Sequence, residues 1–310
     1  MIMKIDIIIP VYNSESCLDE LVKQLHNSLE RFSYHIYFVN DHSKDDSWGK
    51  LKEISYMNRN IVSINLAKNF GQDCAIMAGL NQSEGDYIVI MDDDLQHSPS
   101  DIIPLIEKLK ETKNDVCYGK YNIKHQSIIK NLGSWFNDKL ANIVIKKPKH
   151  VYLSPFKVLR KSIVQKIIQY DGPYPYIDGL IFRFTSKITE IDIIHHKRFA
   201  GKGNYTFYKS MSLWIRVLTN FSVIPLRIST YIGIIASIFG FILGLYFISR
   251  HFSGMSSPEG WPSLIVTILF IGGIQLLGIG IIGEYVGRSF IYQSKEPQFI
   301  IDKIIRNDEE

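Results

Sequence analysis

Two stretches of the chain carry no charged residue, Ile228 to Ser249 and Trp261 to Gly283. Each runs to about 22 residues, roughly 33 Å as an α-helix, which matches the ~30 Å hydrocarbon core of a bilayer. A pair of buried core helices is the plain alternative, but uncharged runs this long seldom lie side by side in a water-soluble fold. The short segment between them, 250–260, leaves no room for a domain, so the spacing predicts a two-helix transmembrane hairpin. A mean hydropathy of +0.01, high for a chain with 21% charged residues, agrees with apolar residues gathered into a few segments.

The flanks suggest an orientation. Arg216 and Arg227 precede the first run, Arg288 and Lys295 follow the second, and the connecting loop holds Arg250 and Glu259. The positive-inside tendency then favours both termini in the cytoplasm. Residues 209–227 mix Met211, Leu213, Trp214, Val217 and Leu218 with Lys209, Arg216 and Arg227, a pattern for an amphipathic helix lying in the membrane interface. The apolar run at the N-terminus stops at Pro10 with no small-residue cleavage site after it, so residues 1–208 are expected to stay cytosolic. Cys17, Cys74 and Cys117 lack metal-ligand spacing and read as free thiols of a reducing compartment. The expected order is a catalytic domain over 1–208, an interfacial helix over 209–227, spans over 228–249 and 261–287 joined by an extracytoplasmic loop over 250–260, and a cytosolic tail over 288–310. The expected location is the inner, cytoplasmic membrane.

Short β-branched runs alternate with amphipathic segments through the first 120 residues. Ile5 to Val11, Tyr34 to Asn40, Ile61 to Leu66, Tyr87 to Met91 and Val116 to Gly119 read as strands. Helices are expected after Ser14, with Leu18, Leu21, Val22, Leu25 and Leu29 on one face and Ser14 as the cap, and again over 47–56, 74–81 and 100–111. Segments 128–150 and 158–170 read as helical, and Ile188 to His195 as a strand. This is the signature of an α/β fold with a doubly wound, mostly parallel sheet, in which ligands bind at the carboxyl ends of the strands. No GxGxxG follows the first strand, which disfavours a dinucleotide fold.

Charge is uneven. Residues 1–119 hold 11 Lys or Arg against 19 Asp or Glu, whereas 120–166 hold 11 against Asp138 alone. A solvated face explains part of this, but a dense basic block suits anionic lipid or phosphate. Nucleic acid is not an expected partner.

Three strand ends carry polar residues: Tyr12-Asn13, Asp41 and Asp92-Asp93-Asp94. Three carboxylates on one turn repel one another unless a cation sits among them. Asp92 and Asp94, with Gln96 alongside, offer hard oxygen donors suited to Mg2+ or Mn2+ shared with a substrate phosphate. A solvated acidic turn capping the helix near Pro99 is the plain alternative. Asp41 suits a nucleobase or ribose, or equally a turn-forming side chain.

Taken in order, IIIPVYN, FVNDHSKDDS, NLAKNFGQDCAIMAGL and GDYIVIMDDDLQHSP closely resemble glycosyltransferase family 2, with its GT-A fold. HHKRFAGKGNYTF, FSVIPLR before the apolar runs and GEYVGR after them are similar to its polyprenyl-phosphate branch. That branch includes bactoprenol glucosyltransferases, dolichyl-phosphate mannose synthases and the undecaprenyl-phosphate aminoarabinose transferase. The resemblance covers about residues 4–300. It implies that Pro10, Tyr12, Asn13, Asp41, Lys68, Asn69 and Asp93 surround a nucleotide sugar, most simply a UDP-sugar. It implies that Asp92 and Asp94 hold the metal and that Arg198 and Lys202 contact the diphosphate or a lipid phosphate. Lys120 lies near a further family arginine. Homo-oligomers are common among relatives, and Gly233, Gly240 and Gly244 permit close helix packing.

Two departures stand out. Many relatives carry Asp-Phe where this chain has Ser154, Pro155, Phe156 and Lys157, and Gly203 replaces a family serine. An alcohol acceptor needs a base to remove its proton. A phosphate monoester, with a second pKa near ~6, does not. The expected reaction is therefore metal-dependent, inverting transfer of a sugar to undecaprenyl phosphate, feeding cell-envelope glycans such as lipopolysaccharide. Two alternatives are an inactive membrane scaffold working with a sugar-lipid flippase, and a processive polysaccharide synthase. The second lacks support because no Q-x-x-R-W occurs.

Overall fold

The computed structural model describes residues 3–121, 151–194, 224–253 and 260–307. The chain divides into two units, Met1–Asn204 with Lys295–Glu310, and Tyr205–Ser294.

The first unit is built on an eight-stranded sheet ordered β7-β5-β6-β4-β1-β2-β3-β8. Its strands are β1 (Lys4–Val11), β2 (Ser33–Asn40), β3 (Ile61–Leu66), β4 (Tyr87–Ile90), β5 (Val116–Tyr121), β6 (Lys157–Arg160), β7 (Ile188–Ile193) and β8 (Ile301–Ile305). The first four run parallel, as does β7 beside β5. β6 runs against β4 and β5, and β8 runs against β3. The helices are α1 (Leu18–Leu29), α2 (Ser47–Met57), α3 (Gln72–Gln82), α4 (Ile102–Glu111), α5 (Lys161–Ile167) and α6 (Ile177–Phe184).

Helices cover both faces. Alternate β1 residues Ile5, Ile7, Ile9 and Val11 join α1, α2 and α4 in one core, while Ile8 joins α3, α5 and α6 in the other. Helix α1 buries Leu18, Leu21, Val22, Leu25 and Leu29, the face its spacing predicts. Ser14 does not cap it. A 3-10 turn, Glu15–Cys17, leads into the helix, and the Ser14 hydroxyl donates to the Tyr12 carbonyl instead.

Part of the helix expected over 158–170 is strand. Lys157–Arg160 pairs with β4 and β5, and only Lys161–Ile167 is helical. Four residues carry too little periodicity to separate a strand from a helix start, and neighbouring strands decide the matter. The helix expected over 128–150, and residues 209–223 of the expected interfacial helix, lie outside the described residues. The tail supplies β8, whose Asp302 accepts from Asn65 Nδ2 at 3.1 Å. All three cysteines are buried thiols, none of them in a disulfide.

The second unit contains α7 (Ile224–Phe252) and α8 (Trp261–Gln293), which pack against each other. They approach closely at Gly278, where an added Cβ would stand 3.3 Å from Ser229 Oγ. Phe270–Gln293 is the one helical stretch among the described residues long and apolar enough to cross a membrane; Leu226–Ile242 is a shorter apolar stretch. Large apolar side chains such as Ile235, Phe241, Leu276 and Phe290 are exposed.

Candidate active site

The carboxyl ends of β1, β2, β3 and β4 each lead into a residue of the left-handed region. These are Asn13 (φ 56°), His42 (φ 55°), Gly71 (φ 94°) and Leu95 (φ 60°). Only glycine adopts this conformation without a steric penalty. Strained turns that recur at one edge of a sheet point to a site, and Leu95 adopts its turn while buried.

Two of these turns are tied together. Asn13 N–H donates to Ser43 Oγ at 3.0 Å, and Lys44 N–H donates to Asn13 Oδ1 at 2.7 Å. Ser43 Oγ donates to Asn40 Oδ1, and Asn40 Nδ2 donates to Asn65 Oδ1 at 2.7 Å. Pro10 lies buried in β1 opposite Val39, and Tyr12 is exposed at the rim.

Asp41 is buried at the end of β2, and both carboxylate oxygens are engaged. They accept the N–H groups of Phe70 at 2.7 Å and Gly71 at 2.9 Å, while Asn69 Nδ2 donates to the Asp41 carbonyl at 3.1 Å. Burial raises its pKa, and these two N–H groups oppose the rise. In this conformation Asp41 acts as a staple for the loop before α3. Lys68 lies over the Phe70 ring at 5.1 Å.

The acidic triplet follows β4. Ile90 lies in the core shared with α3 and Met91 in the core shared with α1. Continued alternation sends Asp92 toward α3 and Asp93 toward the β1 turn. The contacts agree: Gln72 Nε2 donates to Asp92 Oδ1 at 2.8 Å, and the Ser14 hydroxyl and Tyr12 backbone stabilise the Asp93 charge. Asp94 is buried and accepts the Gln96 N–H at 3.1 Å. Burial, then Asp94 and Asp93, push the Asp92 carboxyl up to about 7. Burial first, with Asp94 adding to it, pushes Asp93 up to about 6.

These residues fit a hard divalent cation. The donors are the carboxylate oxygens of Asp92 and Asp94, whose charges repel one another. Among the described residues no three His, Cys, Asp or Glu side chains form a closed cage. A pair of carboxylates completed by substrate phosphate oxygens is the usual arrangement for Mg2+.

The structure adds residues that the strand-end motifs do not mark. Lys157 lies opposite Ile90 of β4 on one side and Tyr118 of β5 on the other. Its ammonium is paired with Asp178 in the first turn of α6 and lies over the Tyr118 ring at 5.2 Å. Tyr118 Oη donates to Asp178 Oδ1 at 2.8 Å. Asp73 accepts the Ile177 N–H at 3.2 Å, and burial pushes its carboxyl up to about 6. No spacing in the sequence signals this group, because its members come from four separate elements.

Lys120 is paired with Glu190 at 2.8 Å. Arg198 and Lys202 lie outside the described residues.

Residues 6–168 match the family described as glycosyl transferase family 2. The chain is 32% identical over 306 residues to the prophage bactoprenol glucosyl transferase homolog of Escherichia coli K12, covering 97% of this chain and 99% of that one. It is 28% identical to the undecaprenyl-phosphate 4-deoxy-4-formamido-L-arabinose transferase of Proteus mirabilis, covering 98% and 94%. Glucosyl-3-phosphoglycerate synthase from Mycobacterium tuberculosis, solved with uridine diphosphate, superposes with a TM-score of 0.53 at 14% identity, covering 71% of this chain and 79% of that one. The fold, the strand-end turns and the family match converge: this chain belongs to glycosyl transferase family 2 and is a glycosyltransferase.

Proposed function

We propose that this glycosyltransferase moves a sugar from a UDP-sugar to the phosphate of a polyprenyl lipid, with undecaprenyl phosphate the expected acceptor. The observation that carries the reading is the acidic triplet, partly buried at the sheet edge with its charges unbalanced, in a chain that is similar end to end to a bactoprenol glucosyl transferase homolog. The related fold has been solved with Mn2+ and UDP-glucose in the mycobacterial synthase, at a TM-score of 0.51.

In this proposal Asp92 and Asp94 hold Mg2+ or Mn2+, with Gln96 beside them. The bound cation supplies positive charge for the departing diphosphate. Asn13, Tyr12 and Pro10 line the nucleotide side. Asp41, with Asn69, keeps the loop after β3 in place, and Lys68 and Asp93 flank it. An acceptor phosphate oxygen forms the new bond to the anomeric carbon as the bond to the nucleoside diphosphate breaks, with inversion. No proton has to be removed, since the acceptor is already largely ionised at neutral pH. The absence of a carboxylate at Pro155 is compatible with this chemistry. Arg198 and Lys202 would guide the acceptor phosphate.

In this reading the reaction occurs at a bilayer, which the apolar composition of the two long helices supports. α7 and α8 form a transmembrane hairpin at the inner membrane, and the first unit faces the cytosol. A homo-oligomer is the expected assembly.

The test is full-length protein purified in detergent, with a panel of UDP-sugars and undecaprenyl phosphate, with and without EDTA. Lipid-monophosphate sugar that disappears with EDTA supports the proposal. No lipid-linked product from any donor, in protein shown to be folded, would sink it.

A further inference from the structure

The cluster around Lys157 has a chemistry that the metal and nucleotide do not use. Lys157 is nearly fully buried, its side chain only 5% exposed, while its partner Asp178 is 17% exposed. One Asp178 oxygen is occupied by Lys157 and by the Tyr118 hydroxyl. Two hydrogen bonds tie the elements of the cluster to the acidic triplet: Gln72 donates to Asp92, and the next residue, Asp73, accepts the N–H of Ile177, which precedes Asp178 in the chain. The sheet register gives the same placement, because Lys157 stands opposite Ile90 and Asp92 follows two residues later on the same face.

We propose that Lys157 and Asp178, the latter held in place by the buried Tyr118 hydroxyl, form the subsite that reads the donor sugar, and that they select an uncharged sugar over an acidic one through its hydroxyl groups. The inference rests on the reading of the triplet as the diphosphate site. A sugar attached to that diphosphate reaches a cluster in which the lysine charge is already balanced by Asp178. Such a pair offers an acceptor oxygen and ammonium protons to neighbouring hydroxyls, but no spare cation for a sugar carboxylate. A uronic acid would meet Asp178 and Asp73 with nothing to neutralise it, and the repulsion disfavours its binding. A merely structural ion pair between β6 and α6 would hold the fold equally well but would not discriminate among sugars.

The experiment measures binding of UDP, UDP-glucose and UDP-glucuronic acid to the full-length protein in detergent with Mn2+, by calorimetry. The wild-type protein is expected to favour UDP-glucose over UDP-glucuronic acid by at least about tenfold. D178N keeps the shape but releases the lysine charge. It is expected to reduce the glucose-to-glucuronate ratio to within about threefold, mainly by gaining affinity for the uronic acid, with UDP binding unchanged. If D178N folds poorly, the triple variant Y118F/K157M/D178L replaces the whole cluster by apolar contacts and strands no buried hydroxyl, a change folds commonly tolerate, and it is expected to lose the preference for UDP-glucose over UDP. Unchanged ratios in folded variants that bind UDP would overturn the subsite, as would UDP-glucuronic acid binding the wild type as tightly as UDP-glucose. Failure of UDP itself to bind the wild type would instead overturn the triplet as a diphosphate site, and the subsite falls with it.

Discussion

Gln72 donates its side-chain amide to the Asp92 carboxylate at 2.8 Å, so the first residue of α3 is joined to the first acid after β4. The bond crosses from one strand end to another and is partly open to solvent. Gln72→Ala should therefore shift the melting temperature by no more than about 2 °C. It should weaken Mn2+-dependent UDP binding by roughly three- to tenfold, because Asp92 loses a group that orients it. Scanning calorimetry measures the first quantity and calorimetric titration with UDP at fixed Mn2+ the second, on one preparation.

Asp94→Ala separates chemistry from folding. The substitution leaves the Gln96 N–H without its acceptor, a cost of about 1 kcal/mol, but also removes one of the charges that burden Asp92. Sugar transfer should disappear while circular dichroism and melting stay close to wild type. A variant that retains a tenth or more of wild-type turnover, as an order-of-magnitude threshold, would refute the assignment of Asp94 as a metal ligand.

The staple at Asp41 makes a stability prediction. Asp41→Asn keeps one acceptor oxygen and loses the other, leaving Phe70 or Gly71 without a partner at a cost of about 1–3 kcal/mol. Gly71→Ala meets no atom within 4 Å, so its cost is the backbone strain at a φ of +94° and ψ of 158° alone, about 1–3 kcal/mol. Chemical denaturation should show each variant destabilised by at least about 1 kcal/mol, and a smaller loss for Asp41→Asn would refute the staple.

Asp73 predicts a pH dependence. Burial raises its pKa from 3.8 to about 6, opposed by the Ile177 N–H and by Lys157. The folded protein therefore holds this proton more tightly than the unfolded chain. Stability is lost as pH rises from about 4 through about 6, and the loss is complete above about 7. Asp73→Asn keeps an acceptor for Ile177 and removes the charge. Relative to wild type it should be neutral near pH 4 and more stable by about 1–2 kcal/mol near pH 8, partial exposure keeping the figure low. Melting curves across that range would expose the opposite trend if it occurred.

At the edge of the sheet, β8 buries Ile305 and covers β3. Ile305→Ala should cost roughly 2–4 kcal/mol, and deletion of 301–310 should also promote aggregation by uncovering an edge strand. Light scattering of the truncated protein is the direct measurement.

Local pattern carried much of this fold. The β-branched runs at Ile5 to Val11 and Ile61 to Leu66 became parallel strands, and the leucines of α1 occupy the buried face their spacing predicts. Lys157–Arg160 and Ile301–Ile305 were not legible as strands. Each is short, and each is a strand because a neighbour offers it hydrogen bonds. Ile177–Phe184 gave no boundary signal, since neither a cap residue nor a glycine stop marks its ends.

The acids were legible because three carboxylates in succession after an apolar strand are conspicuous in a line of text. Their division of labour was not. Alternation along β4 sends Asp92 to Gln72 and Asp93 to the β1 turn, and burial in that setting raises both pKa values. Asp41 shows the same limit, since only packing brings the N–H groups of Phe70 and Gly71 onto its two oxygens.

By itself the sequence determined the alternating α/β order, the acidic turn, the long apolar segments and the family, all of which depend on residues near one another in the chain. Tertiary structure alone decided which groups share a site. Lys157 meets Asp178 and Tyr118 because three separate elements converge there, and a buried charge is stable only where the fold delivers its partner.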